Sequence, residues 1–270
     1  MKERSSNERI TIYLSIFFIL FLVVIILLYV FGIIGKGPAT VDAVLNQDVI
    51  VKYENDKWQV VKSKDYSNYN WNKFRVYEEG KKKGTYSLYT SDNEFYIFKV
   101  KNGERTPMFT LDNNLYLGGR KNSDFVEFNK EELSESDTLY ISSVLRNNNV
   151  SDSDLTNYIL GYKVVKDFDG DNRKEKMYVI SNVFNDQVNN TAYSLIFIKH
   201  GDKTKYIYKK IVAAKDSLNQ CKIDLLGLIK IENVDKMQIV TKCSYYSYSN
   251  NEYGIYQNKN NNYQLLLYIK

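Results

Sequence analysis

The segment Asp167-Phe168-Asp169-Gly170-Asp171-Asn172-Arg173-Lys174-Glu175 carries carboxylates at its first, third, fifth and ninth positions. That spacing suits a hard divalent cation. Calcium takes several oxygen ligands at roughly 2.3–2.6 Å, and alternate acids on a tight loop converge on one point. Gly170 permits the sharp bend between them. The competing reading is a solvated acidic turn built by Asp and Asn turn chemistry. Four acids this close repel one another without a cation, although Lys166, Arg173, Lys174 and Lys176 relieve part of the repulsion. The role expected of the ion is structural, pinning a loop without doing chemistry.

Other chemistry is thinly represented. The sequence has no G-x-S-x-G, no H-E-x-x-H and no phosphate-binding glycine loop. His200 is the single histidine, so any Ser-His-Asp or Cys-His device would depend on it; beside Gly201 it reads as an exposed turn residue. Tyr245-Tyr246-Ser247-Tyr248, with Tyr253 and Tyr256, offers a platform for a sugar or peptide, or else one face of a Tyr-rich sheet. No catalytic residue is assigned, and the expectation is a protein that is not an enzyme. The alternative is a cell-envelope enzyme or accessory subunit acting on wall glycan, with carboxylates that only distances could pair.

The elements that would hold the acidic loop are strands. Met177-Tyr178-Val179-Ile180-Ser181 follows it, where an EF-hand would continue into a helix. An EF-hand also places its glycine sixth and its last acid twelfth; here these are fourth and ninth. D-x-D-G-D-x-x-x-[DE] followed by a strand resembles the calcium loop of FG-GAP/VCBS repeats, units of integrin-like propellers and of many bacterial surface proteins. The resemblance implies that Asp167, Asp169, Asp171 and Glu175 are ligands, joined by the backbone carbonyl of Arg173. Asn172 stands where such repeats usually have Gly, and Asn tolerates the same left-handed backbone.

A second, degenerate copy is expected downstream. LGYKVVKDFDGDNRKEKMYVISN from Leu160 lies against LGLIKIENVDKMQIVTK from Leu226, and two more strands follow each. The second copy keeps only Glu232, Asn233 and Asp235, too few for an equivalent site. The period of roughly 60–66 residues is near that of one four-stranded unit.

Around this core the chain reads in order. Residues 1–9 form a tail expected in the cytoplasm, and 10–35 an uncleaved transmembrane anchor, since no charge occurs from Ile10 to Gly35 and a helix of about 20 residues crosses the hydrocarbon core. Lys2, Arg4 and Arg9 precede it, so the positive-inside bias puts the rest of the chain outside a single-pass cell membrane anchor. Only nine residues precede the anchor, which argues against a cytoplasmic output domain. Residues 36–46 read as a stalk, 47–128 as an antiparallel meander with turns at Gly80 to Gly84, Asn102-Gly103 and Gly118-Gly119. Residues 129–159 read as a helical linker in which Leu139, Ile141, Val144 and Leu145 face one way. Residues 160–270 are the repeat region, so the fold class is mainly β with one N-terminal transmembrane helix.

Composition bounds the rest. Thirty-seven basic and 32 acidic residues give a formal charge of +5, a mixed surface and not a nucleic-acid footprint. The partners expected are the membrane and either a cell-wall glycan or a surface protein. The abundance of Tyr, Asn, Lys and Ile beside two prolines suggests a bacterial source. Cys221 and Cys243 are the two cysteines; they are either a disulfide of an exported domain or two buried thiols.

Overall fold

The computed structural model describes residues 14–15, 17–24, 41–45, 49–70, 73–91, 94–101, 104–107, 116–119, 123–155, 159–183, 190–213, 220–231, 237–245, 251–260 and 262–270. The chain divides into two compact units, residues 1–39 and 40–270. In the first, residues 14–15 and 17–24 are helical (α1), and every side chain from Phe17 to Val24 is exposed. Among the described residues no helix is long and apolar enough to cross a membrane. The remainder of the 10–35 span, and the 1–9 tail, lie outside the described residues.

The second unit is mainly antiparallel β, arranged among the described residues in three sheets. Strands β10 (Gly161–Lys166), β11 (Glu175–Ser181), β12 (Thr191–His200) and β13 (Lys203–Ala213) form a four-stranded meander. Strands β14 (Cys221–Ile231), β15 (Gln238–Tyr245), β16 (Asn251–Lys259) and β17 (Asn262–Ile269) form another, extended at β14 by β9 (Ser123–Phe125). The two face each other across one core, with Val164, Met177, Val179, Ile196, Ile198 and Ile207 on one side. Ile223, Leu225, Leu228, Ile239 and the two cysteines come from the other.

Strands β11 and β12 are apolar on both faces because both faces are covered. Met177 and Val179 point into the inter-sheet core, while Tyr178 and Ile180 meet helix α2 (Glu135–Arg146) on the other side. The stretch expected as a linker therefore supplies a third layer. Ser134 caps α2 in a reciprocal box with Asp137, which satisfies orphan N–H groups at the helix start. Ile141, Val144 and Leu145 are buried on the sheet, but Leu139 is 66% exposed, which corrects its expected place on the apolar face. From Leu139 the sheet-side neighbours at helical spacing are i+3 and i+4; Ser142 and Ser143 occupy those places, so Leu139 belongs to the polar side.

The third sheet runs β3-β2-β1-β8-β4-β5-β6-β7. Its strands are β1 (Val41–Leu45), β2 (Val49–Glu54), β3 (Lys57–Val60), β4 (Lys73–Glu78), β5 (Lys81–Ser91), β6 (Glu94–Lys101), β7 (Glu104–Pro107) and β8 (Tyr116–Gly119). Two expectations need correction here. Residues 41–45, read as stalk, form an inner strand with Val41, Ala43 and Leu45 buried. Gly118 and Gly119, read as a turn, lie within β8 and pair with Val44 and Ala43 on one side and with Val76 and Arg75 on the other. β8 thus sits between β1 and β4, and the sheet is not a simple meander. A 3-10 helix, Ser63–Tyr69, covers one face with Tyr66 and Tyr69. Residues 102–103 lie outside the described residues.

Candidate metal site

The register of β10 and β11 ends at Lys166 paired with Glu175, leaving residues 167–174 as the connection. The loop folds on its own carboxylates. Asp167 accepts the N–H of Gly170 at 2.7 Å and of Asn172 at 2.9 Å, one on each oxygen. Asp171 accepts from the Arg173 N–H at 2.8 Å, and Asp169 from the Asp171 N–H at 3.3 Å. Gly170 and Asn172 have φ of 83° and 67°, the left-handed conformation expected of both. Phe168, fully buried in the inter-sheet core, anchors the loop from below, and its N–H donates to Glu175 at 2.8 Å.

These constraints bring Asp167, Asp169, Asp171 and Glu175 together, each offering an oxygen within 4.8 Å of the others. Two oxygens bound to one calcium can be up to about 5.2 Å apart, so the spacing fits a shared ion. Glu175 is buried where the three aspartates are not. Burial pushes its carboxyl above the usual range, and Asp169, Asp167 and Asp171 push it further, against the Phe168 N–H. The loop therefore concentrates negative charge that a cation would relieve. Arg173 is exposed and tied in through its N–H.

His200 is the residue the sequence reading passed over. Its Nδ1 lies 3.6 Å from Asp169, and a second cluster joins Asp169, Glu175 and His200. Pairing arithmetic would have found it: Lys176 pairs with Lys199, which sets Glu175 next to His200 across β11 and β12. The β16–β17 hairpin reaches the same region. Burial, then the charges of Asp169 and Glu175, raise the Tyr263 hydroxyl well above its usual range. Its register partner Asn258 is 1% exposed, with an Oδ1 that has no hydrogen-bond partner.

The connection from β14 to β15, with Glu232, Asn233 and Asp235, lies outside the described residues, as do Tyr246, Ser247 and Tyr248. Cys221 and Cys243 are joined in a disulfide, their Cα atoms 5.3 Å apart. No protein-family model matches the chain, and neither a curated protein nor a solved structure matches it.

Proposed function

We propose that the protein is a membrane-anchored, extracytoplasmic binding or assembly module in which the 167–175 loop holds one structural calcium ion. The observation that carries the reading is the convergence of Asp167, Asp169, Asp171 and Glu175 to within 4.8 Å, on a loop shaped by its own N–H bonds to those carboxylates. With the carbonyl of Arg173 these make the ligand set of an FG-GAP/VCBS-like unit. Two four-stranded meanders in sequence are in keeping with the repeat.

Two further features support the address. The helical residues 17–24 expose apolar side chains all round, and a helix apolar on every side needs an apolar surrounding. A disulfide within the β unit suits an oxidising compartment. The partner in this reading is a surface glycan or protein, and no step of chemistry is assigned to the ion.

The test is calcium titration by calorimetry on the full chain in a neutral detergent, beside Asp169→Ala. Saturable binding that raises the melting temperature and disappears in the variant supports the reading. A folded parent that takes no calcium ends it.

A further inference from the structure

We infer that the structure holds a second binding site, centred on Glu252, whose ligand is a small organic ammonium group. It lies at the end of β16 away from Asn258, and it does not depend on the calcium reading.

Register puts the relevant groups on one face of the five-stranded sheet. Cys221 pairs with Tyr245, Cys243 with Glu252, and Gly254 with Tyr268. Tyr208 and Lys210 of β13 approach from the facing sheet, and with Cys243, Tyr245, Glu252, Gly254 and Tyr268 they line a cavity of about 120 Å³. A single water needs roughly 10–15 Å³ measured in the same way, so the space suits a group of several heavy atoms.

Glu252 is 7% exposed. One of its oxygens accepts hydrogen bonds from the hydroxyls of both Tyr245 and Tyr268, and among the described residues no lysine, arginine or histidine forms an ion pair with it. A carboxylate taken out of water is costly unless a cation compensates it. Two phenols satisfy hydrogen bonds but bring no charge. Burial and the Glu252 charge push the Tyr245 hydroxyl up to about 12 and raise that of Tyr268 further, so both remain neutral donors.

The walls are the surface that an ammonium prefers. Rings of Tyr208, Tyr245, Tyr256 and Tyr268 cluster around the carboxylate, as the mutual influence on the Tyr208 hydroxyl reflects. The protein already uses one wall in this way: the Lys210 ammonium lies 5.7 Å from the Tyr245 ring centroid, within cation–π range. Gly254 makes room for the Tyr256 ring on the floor. A Cβ there would stand 2.5 Å from the Tyr256 ring and 3.0 Å from the Thr241 hydroxyl. At the back, the Tyr208 hydroxyl sits 3.4 Å and 3.5 Å from the two disulfide sulfurs, so the covalent bridge fixes one wall. Aromatic faces around a carboxylate recognise charge and apolar shape together, which sets ammonium apart from sugars and anions.

The ammonium could be free in solution or carried on a chain, and one experiment separates these. The full-length protein in maltoside micelles is titrated with choline, with its neutral isostere 3,3-dimethylbutan-1-ol and with a lysine hexapeptide, following tyrosine ring NMR signals. Saturable binding of choline, at least about tenfold tighter than the isostere, is expected. Glu252→Gln should lose about tenfold in choline affinity while its melting temperature is unchanged or raised, because a buried charge has been removed. A hexapeptide that binds about tenfold tighter than choline, and loses this in Glu252→Gln, assigns the ligand to a chain. Equal binding of choline and the isostere on the parent protein overturns the proposal whether or not the variant folds. Undiminished choline binding by Glu252→Gln overturns it as well.

Discussion

The Tyr178 hydroxyl donates a 2.8 Å hydrogen bond to Oδ1 of Asp137, joining the first turn of α2 to the middle of β11. Asp137 is 2% exposed and also receives Lys176 at 2.9 Å and Lys163 at 2.6 Å. One carboxylate thus ties the helix to two adjacent strands. Removing it leaves two lysine ammonium groups and a buried phenol without their partner. Asp137→Ala should therefore cost about 3–5 kcal/mol, measured by urea unfolding. Leu139→Ala, on the exposed side of the same helix, should stay within about 0.5 kcal/mol.

The same residue sets the acid limb of stability. Burial pushes the Asp137 carboxyl upward, but Lys163, Ser134, Lys176 and Tyr178 outweigh it and hold the group well below the ordinary carboxylate range. A carboxylate with a depressed native pKa binds fewer protons folded than unfolded. Its stabilisation is fully present above the unfolded value near 4 and is lost as the pH falls below that value. The gap in melting temperature between parent and Asp137→Asn should narrow steadily between about pH 4 and pH 2. A constant gap would show that the charge contributes nothing.

His200 gives the proposed calcium site a selectivity test. Calcium prefers oxygen ligands, whereas imidazole suits zinc and other transition metals. With Nδ1 3.6 Å from Asp169, His200→Ala should leave calcium affinity within about threefold and weaken zinc binding by more than about tenfold. Calorimetry with each metal on the same two proteins checks this. A large loss of calcium affinity in His200→Ala would instead make the ring a determinant of the loop's shape.

What could be read in the sequence was local. Asp167 to Glu175 was visible because its carboxylates, its Gly170 bend and the strand that follows lie within one short segment. Strands β11 to β17 were visible because β-branched and aromatic runs are punctuated by turn residues. Leu160-Gly161 and Leu226-Gly227 were matched across two units that both fold as four-stranded meanders. Sheet order and side-to-side pairing were not legible. Nothing near Gly118 states that β8 enters between β1 and β4, and Asp137 finds Lys163 and Lys176 only once α2 lies on the sheet. His200 was missed for the same reason, since its neighbour Asp169 belongs to another connection.

The disulfide closes a loop of 22 residues in sequence separation, linking β14 to β15. Loop-closure entropy of that size is worth about 3 kcal/mol. Reduction should lower stability by about that amount, and Cys221→Ser with Cys243→Ser should match it. Because the Tyr208 hydroxyl contacts both sulfurs, the change should also reach the Tyr208 ring signals. Unchanged unfolding midpoints with and without reductant would count against a bridge that contributes to stability.

Gly80 closes the turn from β4 to β5 and also fixes where the core begins. Its φ is 78°, and a Cβ there would stand 2.7 Å from three ring carbons of Phe128. Its carbonyl accepts the Phe128 N–H at 3.0 Å, and Phe128 is 1% exposed within the inter-sheet core. Alanine at this place therefore carries two penalties, a left-handed backbone and a collision with a ring that has nowhere to go. Gly201 separates them, because its φ is 58° and nothing lies within 4 Å of a Cβ built there. Gly201→Ala should cost about 1–2 kcal/mol from the backbone alone. Gly80→Ala should cost a further 1–3 kcal/mol or so from overpacking. Equal losses in thermal unfolding of the two variants would mean that Phe128 shifts freely, and that the turn does not brace the core.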